Sequence, residues 1–258
     1  MSSKKRDYSI FDRFNFERKP VGVRYSLKKP DGIEQLDRSL GICEMFKEAQ
    51  TSKPFYATKE NVQCGTQVMG MDAFPPVMYS GQLGSEFSMF KTPAANRRVY
   101  DYVPVLPRDS VRYVIHSSLD QMTFDPDFLI ITANTSQAEI LLRASTYTTG
   151  KMWTSRSSTC LACAWMYAQP YLSGELNYII SGLGFSMKAR NVLPEGLIIL
   201  SIPSEVLSMM IENLEDMEWE PHWFSLGRDG FIKGVQELES RMSKEYPPEL
   251  VWMDKQKK

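Results

Sequence analysis

Residues 127–145 read DFLIITANTSQAEILLRAS, and this stretch decides the fold class. Residues 127–133 are largely apolar without alternation, which is typical of a strand buried on both faces of a sheet. Ser136 and Glu139 follow in the Ser-x-x-Glu spacing of a capping box, which predicts a helix to about Ser145. The stretch therefore predicts one strand–helix unit.

A second unit of the same kind lies at residues 196–214, GLIILSIPSEVLSMMIENL. An apolar strand over 196–202 is followed by Pro203, Ser204 and Glu205 and a helix to about Leu214. Strands that alternate with helices favour a sheet covered on both sides, with at least some parallel pairs. We therefore expect an α/β fold, a mixed sheet flanked by helices, with an α+β arrangement as the alternative.

Weaker patterns place the remaining elements around these units. Apolar side chains recur every three or four residues from about 33 to 50, which predicts a helix with Cys43 on its buried face. A short helix is predicted over 66–71, and residues 72–92, rich in proline and glycine, read as a long ordered loop of the kind that lines sites. Further strands are predicted at 21–26, 54–58, 112–117 and 177–180.

The chain divides into three predicted segments. Residues 1–19 form an N-terminal extension, 20–215 a core domain, and 216–258 a C-terminal extension with a charged helix over about 230–243. The last segment carries Trp219, Trp223 and Trp252, and three tryptophans in so polar a stretch predict that it packs back on the core.

Composition excludes several classes of function. Thirty Lys plus Arg against 31 Asp plus Glu leave a formal charge of −1, so no overall field attracts nucleic acid or an anionic membrane. The first twenty residues contain no apolar segment of a signal peptide, and no apolar run approaches the roughly 18 residues that span a bilayer. We expect a cytoplasmic protein in which the four cysteines are reduced thiols, metal ligands or reactive groups.

The pair Cys160-x-x-Cys163 is the strongest constellation in the sequence. If Ser158 or Thr159 caps a helix, Cys160 lies in its first turn, where the helix dipole favours a thiolate. Cys160 would then be nucleophilic and Cys163, one turn on, able to resolve a disulfide. The alternative is that both are small core residues beside Trp165, since free cysteine is among the most buried residue types.

Cys64 precedes Gly65 and a possible short helix, and it is expected to converge with Cys163 on one pocket. Together with Cys43 and Cys160 these residues would supply four sulfurs, enough for zinc or an iron–sulfur cluster. A site of two or three cysteines that holds a larger metallocofactor or another exogenous ligand is the alternative.

Other candidates are weighed against simple packing. Gly182 and Gly184, before Lys188 and Arg190, could form a backbone nest for an anionic group, although a turn without a ligand explains them too. Four methionines near the 72–92 loop could line an apolar cofactor pocket or fill the core: Met69, Met71, Met78 and Met89. The two histidines, His116 and His222, are predicted to be structural.

Several ordered pieces of the sequence resemble one known family. They are Cys43-Glu-Met-Phe-Lys-Glu-Ala49, Phe55-Tyr-Ala-Thr-Lys-Glu60, Cys64-Gly-Thr-Gln-Val-Met-Gly70, Pro126-Asp127, and Cys163 with Pro170. This order is similar to that of domain of unknown function 169, an uncharacterised prokaryotic family of archaea and anaerobic bacteria. The resemblance names relatives and implies no reaction.

Three functional hypotheses follow from the sequence. The first is a protein of anaerobic metabolism that binds a metal centre or cofactor through Cys64 and Cys163, with Cys43 or Cys160 in support. The second is a thiol enzyme or redox protein that uses Cys160 or Cys163. The third is a non-catalytic interaction protein with a tryptophan-rich tail, and assembly into a homo-oligomer stays open in all three.

Overall fold

A seven-stranded mixed sheet organises the chain in the computed structural model, which describes residues 6–242. The strands, in chain order, are β1 Val21–Ser26, β2 Glu34–Gln35, β3 Leu40–Gly41, β4 Phe55–Ala57, β5 Val62–Cys64, β6 Tyr113–Ser118, β7 Phe128–Ala133, β8 Asn177–Ile180 and β9 Ile198–Pro203. Across the large sheet their order is β2-β4-β6-β1-β7-β9-β8, and β3 and β5 form a separate pair. The predicted mixed α/β fold is confirmed.

Most neighbouring strands are antiparallel. β1 pairs antiparallel with both β6 and β7, and β9 pairs antiparallel with both β7 and β8. Of the pairs in the described residues, β2–β4 and β3–β5 are parallel. The two predicted strand–helix units thus contribute neighbouring but antiparallel strands, with Phe128 opposite Pro203, and the parallel pairs come from short strands elsewhere.

The helices connect and cover these strands. Their bounds are α1 Ile42–Ala49, α2 Pro76–Tyr79, α3 Gln82–Glu86, α4 Pro93–Arg97, α5 Thr135–Thr146, α6 Gln169–Ser173, α7 Phe185–Ala189, α8 Ser204–Asp216, α9 His222–Ser225 and α10 Gly227–Met242. A π-helical turn, Ala164–Ala168, leads directly into α6, and 3-10 turns occur at Ser9–Phe14, Lys59–Asn61, Arg98–Asp101 and Leu119–Gln121.

Both faces of the sheet are buried, as the apolar strands predict. On β7, Phe128 and Ile130 belong to the core cluster that includes α1 and the π-helical turn. Leu129 and Ile131 are also buried and, because side chains alternate along a strand, point to the opposite face. There α5 contacts β7 and β9, and the Asn213 side chain of α8 donates to the carbonyl of Ala144 at 2.7 Å.

The helix predicted over 33–50 is wrong in its first half. Residues Glu34–Gln35 pair instead with β4, and Leu40–Gly41 pair with β5, so α1 begins only at Ile42. Strand partners distant in sequence supply main-chain hydrogen bonds that a periodicity argument does not see. Cys43 nevertheless points inward and is 3% exposed.

Other local predictions need smaller corrections. The capping box of α5 is formed by Asn134 and Gln137 rather than by Ser136 and Glu139: the Gln137 N–H donates to Asn134 Oδ1 at 2.9 Å, and the Asn134 N–H donates to Gln137 Oε1 at 3.0 Å. The short helix predicted over 66–71 is a series of turns. The strand predicted at 177–180 has the predicted bounds.

Part of the predicted N-terminal extension packs closely. Phe11 and Phe14 in the 3-10 turn Ser9–Phe14 are buried, and Gln137 donates a side-chain hydrogen bond to the carbonyl of Phe14 at 3.0 Å. These residues therefore stand on the same compact unit as the sheet, which extends to Glu215.

The described residues from Asp216 to Met242 belong to a second compact unit. It contains α9 and α10, so a helix over most of the predicted 230–243 range is present, and Trp223 contacts Phe231 edge-to-face with ring centroids 6.5 Å apart. That the tryptophans pack back on the core stays a prediction, and Trp252 lies outside the described residues. Within residues 6–242 no helix has the length and apolar character to cross a membrane.

Candidate functional site

A cavity of about 340 Å³ lies between β5, α7, the C-x-x-C segment and the helices of the 76–101 region. Three of the four cysteines line it: Cys64, Cys160 and Cys163. Two other depressions, of about 190 Å³ beside Trp153 and about 520 Å³ beside Tyr8, have no cysteine among their described lining residues. The thiol-lined cavity is therefore the candidate functional site.

Two of the thiols come from elements that meet at the end of the core. Cys64 is the last residue of β5, where the chain turns at Gly65 with a φ of +106°. A β-carbon placed on Gly65 would lie 3.8 Å from the sulfur of Cys163, so the two cysteines approach each other here. Cys43 lies on α1 and is not among the lining residues. It is nevertheless close to Cys163, because its charge contributes to the raised pKa of that thiol.

Cys160 does not lie where the sequence places it. The helical segment begins at residue 162, so Cys160 precedes it and Cys163 occupies its first turn. Ser158 caps no helix; its hydroxyl bonds the carbonyl of Cys160 at 2.7 Å and accepts from the Trp165 indole at 3.2 Å. Between the two cysteines Leu161 has a φ of +57°, a strained conformation for a large side chain and one that clusters at functional sites.

All four thiols have a raised pKa, and burial is the main cause in each case. The pKa of Cys43 rises to about 12 through burial and then through the charges of Cys64 and Glu44. Burial raises the pKa of Cys163, followed by the charges of Cys64 and Cys43. Burial also raises the pKa of Cys160, against the Ser158 hydrogen bond. Burial of Cys160 therefore opposes the thiolate that the sequence predicts there.

Cys64 is the most accessible of the thiols. It is partly exposed, whereas the other three are buried. Burial raises its pKa, but the guanidinium of Arg190 beside it acts in the opposite direction, and Glu44 raises the pKa again. Arg190 is thus a nearby cation that would stabilise a deprotonated Cys64.

The sulfurs do not assemble into a metal centre of their own. Within residues 6–242 no group of three or more His, Cys, Asp or Glu side chains is arranged to hold a metal ion. Cys160 is turned away toward Asn96, whose Oδ1 lies 3.8 Å from its sulfur. The described residues therefore offer no support for the four-cysteine zinc or iron–sulfur site considered from the sequence.

The predicted loop at 72–92 contains two short helices, α2 and α3, and covers the cavity. Helices α2, α3 and α4, with the turn Arg98–Asp101, pack on one another, and we call this region, residues 76–101, the helical cap. Asn96 is its buried centre, 1% exposed, and donates to the carbonyl of Gly81 at 3.1 Å. Phe87 of the cap stacks on Phe185 of α7 with centroids 5.6 Å apart, which joins the cap to the wall of the cavity.

The other candidates from the sequence divide between cavity and core. Met78 and Met89 line the cavity, whereas Met69 is fully buried in the core and Met71 packs against it. Gly184 has a φ of −77° and begins α7, and Gly182 is not in the left-handed region either, so the alternating backbone of a nest is not formed. The glycines therefore form a turn and not a nest, and the cavity is lined by Phe185, Ser186 and Arg190, which follow them in the chain.

The histidines occupy very different places. His116 is fully buried in β6, and its Nε2 lies 3.1 Å from the hydroxyl of Tyr167, which donates in turn to the carbonyl of Ile42 at 3.0 Å. Burial lowers the pKa of His116 to about 3. His222 is exposed at the start of α9. His116 is therefore a neutral core residue, and the sequence expectation of a structural role agrees with its contacts.

A comparison with protein-family models identifies the relatives of the chain. Residues 10–213 match the model of DUF169, domain of unknown function 169, described as "Uncharacterised ArCR". The chain belongs to the DUF169 family. No curated protein and no solved structure gave a match. The matched residues of this DUF169 chain include every side chain that lines the cavity.

Sequence reasoning missed the non-cysteine residues that shape this DUF169 site. Asn96, Tyr100 and Phe87 come from the cap, whose helices are too short to show a clear period. Arg190 was noted only as a neighbour of the glycines, although its side chain lines the cavity. A polar residue flanked by short helical turns, such as Asn96, gives no signal in one sequence that it is buried.

We expect Cys64 of this DUF169 protein to be alkylated first by iodoacetamide, because it alone of the four is partly exposed and lies beside Arg190. Alkylation of Cys43 and Cys163 should be slow in the folded protein. Its rate should increase as the pH rises, since the pKa values of both thiols are raised. Peptide mass spectrometry after timed quenching measures the order.

The Cys64→Ser variant is the control, and it should lose the fast phase only. Denaturant should make all four sites react at similar rates. If Cys160 were instead labelled fastest, and its rate reached a plateau before the pH rose to 8, Cys160 would be the thiolate that the sequence predicts.

Proposed function

We propose that this protein binds a small cofactor or metabolite in the thiol-lined cavity. One observation carries the proposal: cysteines from two distant stretches of the chain, Cys64 on one side and Cys160 and Cys163 on the other, line the same apolar cavity. A cavity of about 340 Å³ is within the usual range of small-molecule sites. A packed core would have closed over these side chains.

The chemistry of the lining supports a cofactor over a bare metal ion. Two methionines, Met78 and Met89, add thioether sulfurs to the three thiols. A metal-bearing cofactor that brings most of its own ligands needs only one or two soft protein sulfurs, as haem does with a single axial cysteine. Neutral, partly shielded thiols suit this role, since binding can displace their protons.

The backbone around Cys163 also fits a ligand site. Leu161 is held in the left-handed region, and the π-helical turn Ala164–Ala168 follows Cys163 at once. Both features cost stability in an isolated chain, and both are common at functional sites.

Filling the cavity tests the proposal. Leu83→Trp places an indole in the lining, and we expect the variant to lose a ligand that the wild type retains or acquires. Full-length protein is purified anaerobically, incubated with a small-molecule extract of an anaerobic archaeon, and examined by native mass spectrometry, absorption spectroscopy and metal analysis.

The matched control is Leu172→Trp, the same substitution at a leucine that is 47% exposed and outside the described cavity lining. It should bind as the wild type does. A wild-type protein that stays free of ligand and metal, with the same spectrum as Leu83→Trp, would remove the proposal.

Thiol chemistry at Cys64 is the second candidate function. The nearby guanidinium of Arg190 favours the ionised form of Cys64. Among the described residues, no arginine contributes in this way to the pKa of Cys160 or Cys163. The nucleophile of a thiol enzyme would then be Cys64 rather than the Cys160 or Cys163 that the sequence suggested. The alkylation order distinguishes the two assignments.

A further inference from the structure

Arg190 is the cation of the cavity. It directly follows the last residue of α7, lines the cavity and donates to two acceptors. Its Nη1 forms an ion pair with the Glu44 carboxylate and donates to Gln63 Oε1 at 3.0 Å. Glu44 is fixed in turn by the backbone N–H of Gly41, at 2.7 Å. The guanidinium is therefore pre-positioned before any ligand arrives.

Gly41 is needed for this arrangement. A β-carbon at this position would lie 2.7 Å from Arg190 Nη1 and 3.2 Å from the sulfur of Cys64. The first distance is too short for a carbon atom and the second is tighter than an ordinary contact, so a side chain at residue 41 would force the guanidinium to move. The absence of a side chain at Gly41 thus leaves the space in which Arg190 and Cys64 are neighbours.

The guanidinium of Arg190 lines the cavity, whereas its counter-ion Glu44 does not. Among the described residues that line it, Arg190 carries the only charge at neutral pH, and no Asp or Glu is present. Glu44 binds Nη1 from outside the lining, while Nε and Nη2 have no hydrogen bond to the described residues. Lys188, the nearest lysine along the chain, pairs with Glu195 at 2.6 Å on the surface instead.

The rest of the lining is mainly apolar and aromatic. Phe87 and Phe185 stack at the edge, and Leu83 and Met78 extend the apolar wall. An aromatic or aliphatic body gains by leaving water here, and an anionic group gains a charge-assisted pair of hydrogen bonds at Arg190. The two requirements together describe an amphipathic anion.

We propose that the cavity recognises a small organic monoanion, in which an apolar body packs against Phe87 and Phe185 and a carboxylate pairs with Arg190. This inference rests on the proposed function and names its ligand class. A single guanidinium already shared with Glu44 matches one negative charge, whereas a phosphate dianion would need further cations that the described lining does not supply.

Paired probes of equal shape test the inference. Binding of 2-naphthoate, 2-naphthamide and 2-naphthyl phosphate to the full chain is measured by ligand-observed NMR and calorimetry at concentrations up to about 1 mM. Naphthoate should bind at least about tenfold more tightly than naphthamide, because an ionic hydrogen bond is lost in the amide. The phosphate should bind no more tightly than the carboxylate.

Variants assign the difference to the guanidinium. Arg190→Gln should bring the affinities of naphthoate and naphthamide to within about threefold, with the amide unaffected. Glu44→Gln removes the competing carboxylate, and it should strengthen naphthoate binding relative to naphthamide, which a merely structural role of Arg190 would not produce. Arg108→Gln, at a side chain that is 82% exposed, should leave the preference as in the wild type.

The outcomes separate this inference from the function it rests on. Equal binding of the acid and the amide, unaffected by Arg190→Gln but abolished by Leu83→Trp, overturns the anion inference and leaves the cavity as a binding site. Absence of binding by all three probes overturns the inference as well. If, in addition, Leu83→Trp makes no difference in the extract experiment, the proposed function falls too.

Discussion

Replacing Gly81 by alanine lowers the free energy of unfolding by about 2 to 5 kcal/mol, the sum of a left-handed backbone cost and of overpacking. Gly81 has a φ of +83°, and a β-carbon there would lie 2.0 Å from the carbonyl oxygen of Pro93 and 2.7 Å from the nitrogen of Arg97. Both neighbours are backbone atoms of α4, so they cannot move without unpacking the helical cap. The substitution therefore separates α3 from α4.

Urea denaturation measures the loss, and hydrogen exchange locates it. Amides of the cap, including those around Asn96, should lose protection first, because Asn96 donates to the carbonyl of Gly81. The matched control is Gly150→Ala, which has a φ of +61° and nothing within 4 Å of its added carbon. It should cost only about 1 to 2 kcal/mol. Equal losses in both variants would show that the cap tolerates the contact.

Acidification should destabilise the protein through His116 by about 2 kcal/mol between pH 7.5 and pH 5. The folded-state pKa of His116 is lowered from 6.5 to about 3, because the imidazole is buried between Phe55 and Tyr167. In the unfolded chain the imidazole takes up a proton below about pH 6.5, and the folded chain cannot. The stabilisation is therefore complete above pH 6.5 and is lost as the pH falls from there toward 3.

His116→Gln isolates this effect from that of the carboxylates. The glutamine amide can still donate to the hydroxyl of Tyr167 but does not titrate. The variant should be less stable than the wild type at pH 7.5, and the difference should shrink by about 2 kcal/mol at pH 5 when chemical denaturation is compared at both values. A difference that is independent of pH would mean that His116 keeps an ordinary pKa in the folded protein.

Local pattern predicted the elements with long, uninterrupted signals. The apolar runs at Phe128–Ala133 and Ile198–Pro203 are strands followed by helices, as the sequence indicates. The helical pattern before α1 was short, and the structure replaces it. Residues 34–35 pair with β4 and residues 40–41 pair with β5 instead of forming a helix. The main-chain partners lie 21 to 23 residues away, as Glu34 with Phe55 and Gly41 with Cys64, and periodicity carries no information about them.

The candidate site shows the same division. The sequence singled out Cys64, Cys160 and Cys163 because thiols carry chemistry wherever they lie, and the structure brings all three to one cavity. The sequence alone could not place Cys160 before the helix. Leu161 adopts a left-handed conformation there, and leucine as a residue type does not predict one. Nor could the sequence single out Asn96, whose burial depends on how α3 and α4 pack.

The amino-acid sequence by itself determined the fold class, the buried strands and the set of thiols, since these depend on residue type and on spacing within one element. Only the tertiary structure decided which thiols share a cavity, that burial raises their pKa, and that Arg190 lines the same space. Those properties arise from contacts between segments that are distant in sequence, such as Glu44 with Arg190, 146 residues apart. Burial and charge act through distance in space, and a single sequence does not record that distance.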